Sequence, residues 1–158
     1  MGQQSSSLLT AQSVGLLLSS ASRAVTVGAI RWTLRGSVYE GTIEVHTTLP
    51  QLETGRLRMV IRRPAPSQPR LQYLVGNASV RRLCVNEEHR PLVGTHKHMI
   101  NPLGTDEDAY KPSDIPEVPL APRVAPGTYR AILEAFASEC SITLGEDFVW
   151  VEPTEKGK

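Results

Sequence analysis

Between Val25 and Val85 apolar residues return at every second position, in one stretch after another. A helix cannot bury such a pattern. A strand with one face in a core and the other in water can. Ile30, Trp32 and Leu34 alternate with Arg31, Thr33 and Arg35. After a turn at Gly36-Ser37, Tyr39, Gly41, Ile43 and Val45 alternate with Glu40, Thr42, Glu44 and His46. Leu57, Met59 and Ile61 alternate with Arg56, Arg58 and Arg62 in a third strand, which Pro64 and Pro66 are expected to end. Leu71, Tyr73 and Val75 predict a fourth strand, and Val80 to Val85 a fifth beyond a Gly76-Asn77 turn. A short sixth is expected at Thr95–Ile100.

A one-sided antiparallel sheet must cover its apolar face, and two segments have the period for it. Ala11, Val14, Leu17, Leu18 and Ala21 form a helical stripe behind Thr10, a candidate N-cap. Tyr129, Ile132, Leu133, Phe136, Ala137 and Cys140 form a stronger one behind Thr128. Ile142–Leu144 and Phe148–Val151 could add a closing hairpin around Gly145. The expected fold class is α+β: an antiparallel sheet of five to seven strands, with an N-terminal helix near 10–22 and a C-terminal helix near 127–140 packed on one face.

The 158 residues suit a single domain, 1–158. Six prolines between Pro102 and Pro126 preclude a long helix or central strand there, so 101–126 reads as a proline-rich strap. Residues 153–158 read as a frayed tail. A hydrophobic fraction of 40% with 21% charged residues excludes collagen-like, coiled-coil and fully disordered chains. No apolar run reaches membrane-spanning length, and Leu16–Leu18 lacks the positive flank of a leader. Cys84 and Cys140 stand alone in apolar patterns, as buried thiols of a reducing compartment do. A cytoplasmic protein without membrane contact and without a cofactor is expected.

The net charge is only +1, yet its distribution is uneven. Residues 23–100 hold twelve of the seventeen Lys/Arg and five of the sixteen acids. The central half is therefore basic, and rich in arginine, whose planar fork suits phosphate and carboxylate. Two halves of opposite sign can simply neutralise each other; alternatively, Arg56, Arg58, Arg62, Arg81 and Arg82 form a nucleic-acid or anion-binding sheet face. Trp32, Tyr39 and Tyr73 fall in the apolar register, which leaves such a face without stacking platforms.

The chemistry-bearing candidate is Thr95-His96-Lys97-His98. Histidines at i and i+2 of a strand share a face. Three readings fit: two ordinary surface histidines; a metal site with a third ligand from His46, His89, Asp106 or Asp108, none at a diagnostic spacing; or a metal-free acid/base pair suited to RNA cleavage. In the last, one neutral imidazole of His96 and His98 takes the 2′-hydroxyl proton and the other, protonated, supplies the leaving 5′-oxygen. Arg81, Arg82 or Lys97 would steady the phosphorane. The catalytic expectation is thus His96, His98, Lys97 and Arg82, with no metal. Phosphate-loop, dinucleotide and zinc-protease motifs are absent from the sequence.

The order of features over about residues 80–142 resembles the TumE-like group of small prokaryotic toxins and related phage and mobile-element proteins. A strand (Arg82-Leu83-Cys84-Val85-Asn86) runs through His89-Arg90-Pro91 into the H-K-H tetrad. Pro112-Ser113-Asp114-Ile115 follows, then a helix ending at Ala137–Ile142. The sequence departs from that pattern at Leu83-Cys84, where the group usually has Tyr-Asp, and at Thr95, where it has a further His. The resemblance implies a toxin–antitoxin or defence context, with a cognate antitoxin or defence-complex protein as partner; RNA as the substrate rests on the cleavage chemistry above, not on the resemblance. The rival expectation is a non-catalytic interaction protein, such as a phage-encoded inhibitor or accessory subunit, gripping an anionic partner with its arginine face.

Overall fold

The computed structural model of the protein describes residues 10–86, 95–99, 108–110, 115, 118 and 123–153; for 96–99 and 108–110 the description is of the backbone. Five long strands run consecutively: β1 (Ala24–Arg35), β2 (Val38–His46), β3 (Thr54–Arg62), β4 (Ala65–Val75) and β5 (Ala78–Cys84). Three short ones follow, β6 (His96–Met99), β7 (Asp108–Tyr110) and β8 (Ile142–Thr143). With helices α1 (Ala11–Leu17) and α2 (Thr128–Glu139) they make a mixed α+β fold. The sheet order is β7-β6-β5-β4-β3-β2-β1-β8.

That is one strand more than the alternation predicts, and one pair is parallel: β8 runs beside β1, Ala24 across from Ile142 and Val25 across from Thr143. The expected closing hairpin does not form. Residues 148–151 instead follow the free edge of β1, where Ile30 N donates to Val149 O (3.2 Å) and Trp32 Nε1 to Val151 O (2.6 Å). An edge strand has unpaired amides to satisfy, and this one draws the C-terminal segment onto itself. Gly145 lets the chain approach: its amide donates to Thr26 Oγ1, and a Cβ there would lie 2.3 Å from Thr26 O. The seventh strand, three residues long, lies inside the proline-rich segment, too short to leave a periodic signal.

Pro66 does not close the third strand. Arg63-Pro64 make a tight turn, and β4 begins at Ala65. Pro66 and Pro69 fit within β4 because the ladder is interrupted there: Arg62 pairs with Ala65, and Val60 already with Arg70. The four residues 66–69 therefore bulge out of register, where a missing N–H costs no ladder bond. Asn86 ties the bulge down, donating from Nδ2 to Ser67 O (2.9 Å), while Val85 N donates to Pro69 O.

Alternation holds along the long strands. Ile43, Val45, Leu57, Met59, Ile61, Leu71, Tyr73 and Leu83 are buried in one core. Trp32 packs flat across its cross-strand partner Gly41, so closely that a Cβ on Gly41 would sit 2.8 Å from the indole. β1 carries two extra residues between the Val27–Glu44 and Arg31–Thr42 pairs, with Gly28 at φ 81°. An even insertion preserves the in–out parity, so Ala24, Thr26 and Ile30 all remain buried.

α2 buries Ile132, Leu133, Phe136 and Ala137 in this core. It starts one residue earlier than a Thr128 N-cap requires: left-handed Gly127 is the cap and Thr128 the first helical residue. Two polar ties hold it to the sheet. Tyr129 donates from its hydroxyl to Pro66 O (2.6 Å), and Arg81 bridges to Glu139. The N-terminal helix is shorter than its apolar stripe suggests. Thr10 caps it, accepting from Ser13 N, and it ends at Leu17 before a 3₁₀ turn at Ser20–Ser22. Val14 and Leu17 reach the core. Cys84 and Cys140 are free, buried thiols.

Candidate functional site

Cross-strand partners in an antiparallel sheet project to the same side, so the register assigns every outward residue a neighbour. Reading across from β1, Arg31 pairs with Thr42, Thr42 with Arg58, Arg58 with Gln72, and Gln72 with Arg82. One row thus crosses five strands, with an arginine on every second strand, about 10 Å apart at the usual strand spacing. Flanking rows carry Arg35 with Val38 and Arg62, and Glu40 with Val60 and Arg70. On the third side Val27 pairs with Glu44 and Glu44 with Arg56. The outward positions of β1–β4 therefore hold six arginines (Arg31, Arg35, Arg56, Arg58, Arg62 and Arg70) against two glutamates, Glu40 and Glu44.

Several of these cations are engaged. Arg58 bridges to Glu40 and donates to Gln72 Oε1, and Arg62 donates to Gln68 Oε1. Glu44 lies directly across from Arg56, but its carboxylate meets His46 Nε2 at 3.0 Å. Arg56 donates instead to the Gly76 carbonyl at 3.3 Å. A carbonyl neutralises no charge, so Arg56 keeps its full electrostatic reach. Arg31 is exposed and has no hydrogen bond or ion pair among the described residues.

Arg81 is on the other side. It pairs with Tyr73, a core residue, and its guanidinium meets Glu139 of α2 with only 11% of its side chain exposed. The five arginines expected on one face are therefore divided: Arg56, Arg58, Arg62 and Arg82 are outward, Arg81 inward. Arg81 and Arg82 are consecutive in β5 and so point to opposite faces; the extra residue at Val80, a bulge between the Tyr73–Arg81 and Leu74–Ser79 pairs, makes Arg81 the inward one. Sequence alternation alone had no means of locating that bulge. Arg31 and Arg35, which alternation already sets opposite Ile30, Trp32 and Leu34, belong to the outward set with Arg70, and the cross-strand register makes them its neighbours.

For the tetrad, the backbone register sets His98 across from Arg82, Lys97 across from Leu83 and His96 across from Cys84. β6 is an interior strand, with β7 on its far side. Lys97 thus pairs with a core residue, one step out of phase with the row of Arg82. His89 and Asp106 lie outside the described residues, and Asp108 is described at the backbone, opening β7 across from Met99. His46 stands at the far end of β2 beside Glu44. Among the described residues no three His, Cys, Asp or Glu side chains gather as metal ligands.

A trough of about 580 Å³ opens on the outward side of β1–β3. Arg31 and Arg56 stand on its walls with Glu44 and three threonines, and Val27, Ala29 and Gly55 give it apolar surface. Two tyrosines on the core side have hydroxyls held neutral. Burial, and then Cys140, pushes Tyr73 up; burial, and then Glu152, pushes Tyr129 up to about 12. Among the described residues no helix is long and apolar enough to cross a membrane. No family model, curated protein or solved structure matches the chain.

Proposed function

We propose that this chain is a non-catalytic interaction protein that grips an anionic partner on the outward face of its sheet. The observation that carries the reading is the sorting of charge by register: six arginines and two glutamates on the outward positions of four adjacent strands. We infer with it that α1 and α2 both lie on the opposite face. The burial of Val14, Leu17, Ile132 and Phe136 in one core supports that arrangement, which leaves the arginine side for a partner. No aromatic residue occupies an outward position on β1–β4, so recognition is by charge and guanidinium hydrogen bonds rather than by base stacking. An acidic protein surface, as a cognate antitoxin or a defence-complex subunit would present, fits this chemistry.

Fluorescence anisotropy with a labelled polyglutamate peptide and a labelled single-stranded RNA tests the reading. Binding at low salt should weaken steeply as salt rises. Each of R35Q, R58Q and R62Q should lower the log–log salt slope for the RNA probe by roughly one. No binding of either probe, or slopes unaffected by all three substitutions, contradicts the proposal.

A second reading is RNA cleavage by His96 and His98, in the context the TumE-like resemblance implies. The pairing of His98 with Arg82 across β5 and β6 favours it. In that reaction one imidazole removes the 2′-hydroxyl proton, the 2′-oxygen attacks phosphorus, and the other imidazole protonates the departing 5′-oxygen. H96A and H98A should each abolish cleavage of the RNA probe; cleavage that persists in both rejects it.

A further inference from the structure

The trough at the β1–β3 end of the outward face has a composition that a flat polyanion-binding surface does not need. Its volume, about 580 Å³, is that of small-molecule pockets. Arg31 and Arg56 stand two strands apart and two residues out of line, about 12 Å on the diagonal at normal strand spacing and rise, with Thr42 and Glu44 of β2 between them. Both guanidinium groups can reach a single group held above β2. The local charge decides what that group is. Glu44 is turned to His46, and Arg56 is left with a carbonyl. Two arginines against one glutamate leave one positive charge, which a single carboxylate neutralises and a dianionic phosphate overshoots. Val27, Ala29 and Gly55 line the trough with apolar surface, and Thr33, Thr42 and Thr54 supply hydroxyls beside it. No aromatic side chain is present to stack a ring.

We propose that this trough is a binding site for a short-chain aliphatic monocarboxylate, whose head group is clasped between Arg31 and Arg56 and whose tail lies along Val27 and Ala29. The proposal goes beyond the partner-binding reading and does not depend on it, since the ligand is a small molecule read without any polyanion in solution. Guanidinium–carboxylate contacts are charge-assisted, the strong class of hydrogen bond. The tail contributes by removing apolar surface from water.

Hexanoate is the probe, titrated into the full chain and followed by amide NMR shifts, with acetate, hexanol and hexyl phosphate as comparisons. Saturable shifts clustered at residues 27–33, 42–44 and 54–56 are expected. R31Q and R56Q should each weaken hexanoate about tenfold, the loss of one charge-assisted bond. R130Q, on α2 and outside the trough lining, should leave its affinity unchanged. Hexanol and acetate should both bind more weakly than hexanoate, and hexyl phosphate no more tightly. Shifts that do not saturate, or that cluster elsewhere, overturn the proposal. So does hexanoate affinity unaffected by both arginine substitutions, or a clear preference for the phosphate, or for acetate over hexanoate.

Discussion

At the scale of single residues, the core contains one group that works against it. Tyr73 is fully buried, and its hydroxyl has no hydrogen-bond partner among the described residues. A buried, unsatisfied polar group costs about 1–3 kcal/mol. Y73F should therefore raise stability, by about 1 kcal/mol, read as a higher urea midpoint at unchanged slope; a lower midpoint would mean the hydroxyl is satisfied. Gly41 is constrained in the opposite sense. Its partner Trp32 occupies the space of a Cβ and meets Trp150 edge-on, with ring centroids 6.0 Å apart. G41A should cost about 1–3 kcal/mol by overpacking and shift the tryptophan emission. Tyr129 and Tyr73 also predict an alkaline weakness. Their folded-state pKa values lie above the ordinary 10.0, that of Tyr129 at about 12. The folded state therefore holds these protons where the unfolded chain releases them, so stability is intact below pH 10 and falls as pH rises through 12. Urea midpoints across that window should fall less in the double variant Y73F/Y129F.

At the scale of elements, α2 is fixed by apolar burial and by the Arg81–Glu139 bridge, whose side chains are 11% and 25% exposed. Removing one member of a pair this far from water strands the other. R81M and E139L should each cost about 1–3 kcal/mol, while R81M/E139L should lie within about 1 kcal/mol of the native protein. Equal additive losses in the double variant would show that the bridge carries no coupling. α2 was legible in the sequence because six apolar residues follow one helical stripe over three turns. β1 to β5 were legible because period-two alternation survives even the two-residue insertion in β1. What escaped was decided by contacts between distant segments. Pro64 and Pro66 read as the end of the third strand, yet Pro66 lies inside β4, in a bulge anchored by Asn86. Ile142-Thr143 reads as half of a hairpin, yet the free edge of β1 captures it in parallel.

At the scale of the whole molecule, a chain of nearly zero net charge sorts that charge by face. The excess of arginine in residues 23–100 was visible in the sequence. Its placement was not, since register across β1 to β5 decides which arginines are neighbours. Register makes Arg31 a neighbour of Arg58 across Thr42, and Arg81, consecutive with Arg82 in β5, turns to the other face. For the tetrad, the structure adds backbone register alone, so its chemistry still rests on the spacing of His96 and His98. If the protein works as proposed, the outward face of β1–β4 receives an anionic partner. The most direct measurement is an NMR titration of the arginine side-chain Nε–H resonances with polyglutamate. Progressive shifts of Arg31, Arg35, Arg56 and Arg58 are expected, with Arg81, bridged to Glu139 of α2, and Arg130 of α2 unmoved. Shifts confined to Arg81 or Arg130 would place the partner at α2 and contradict it.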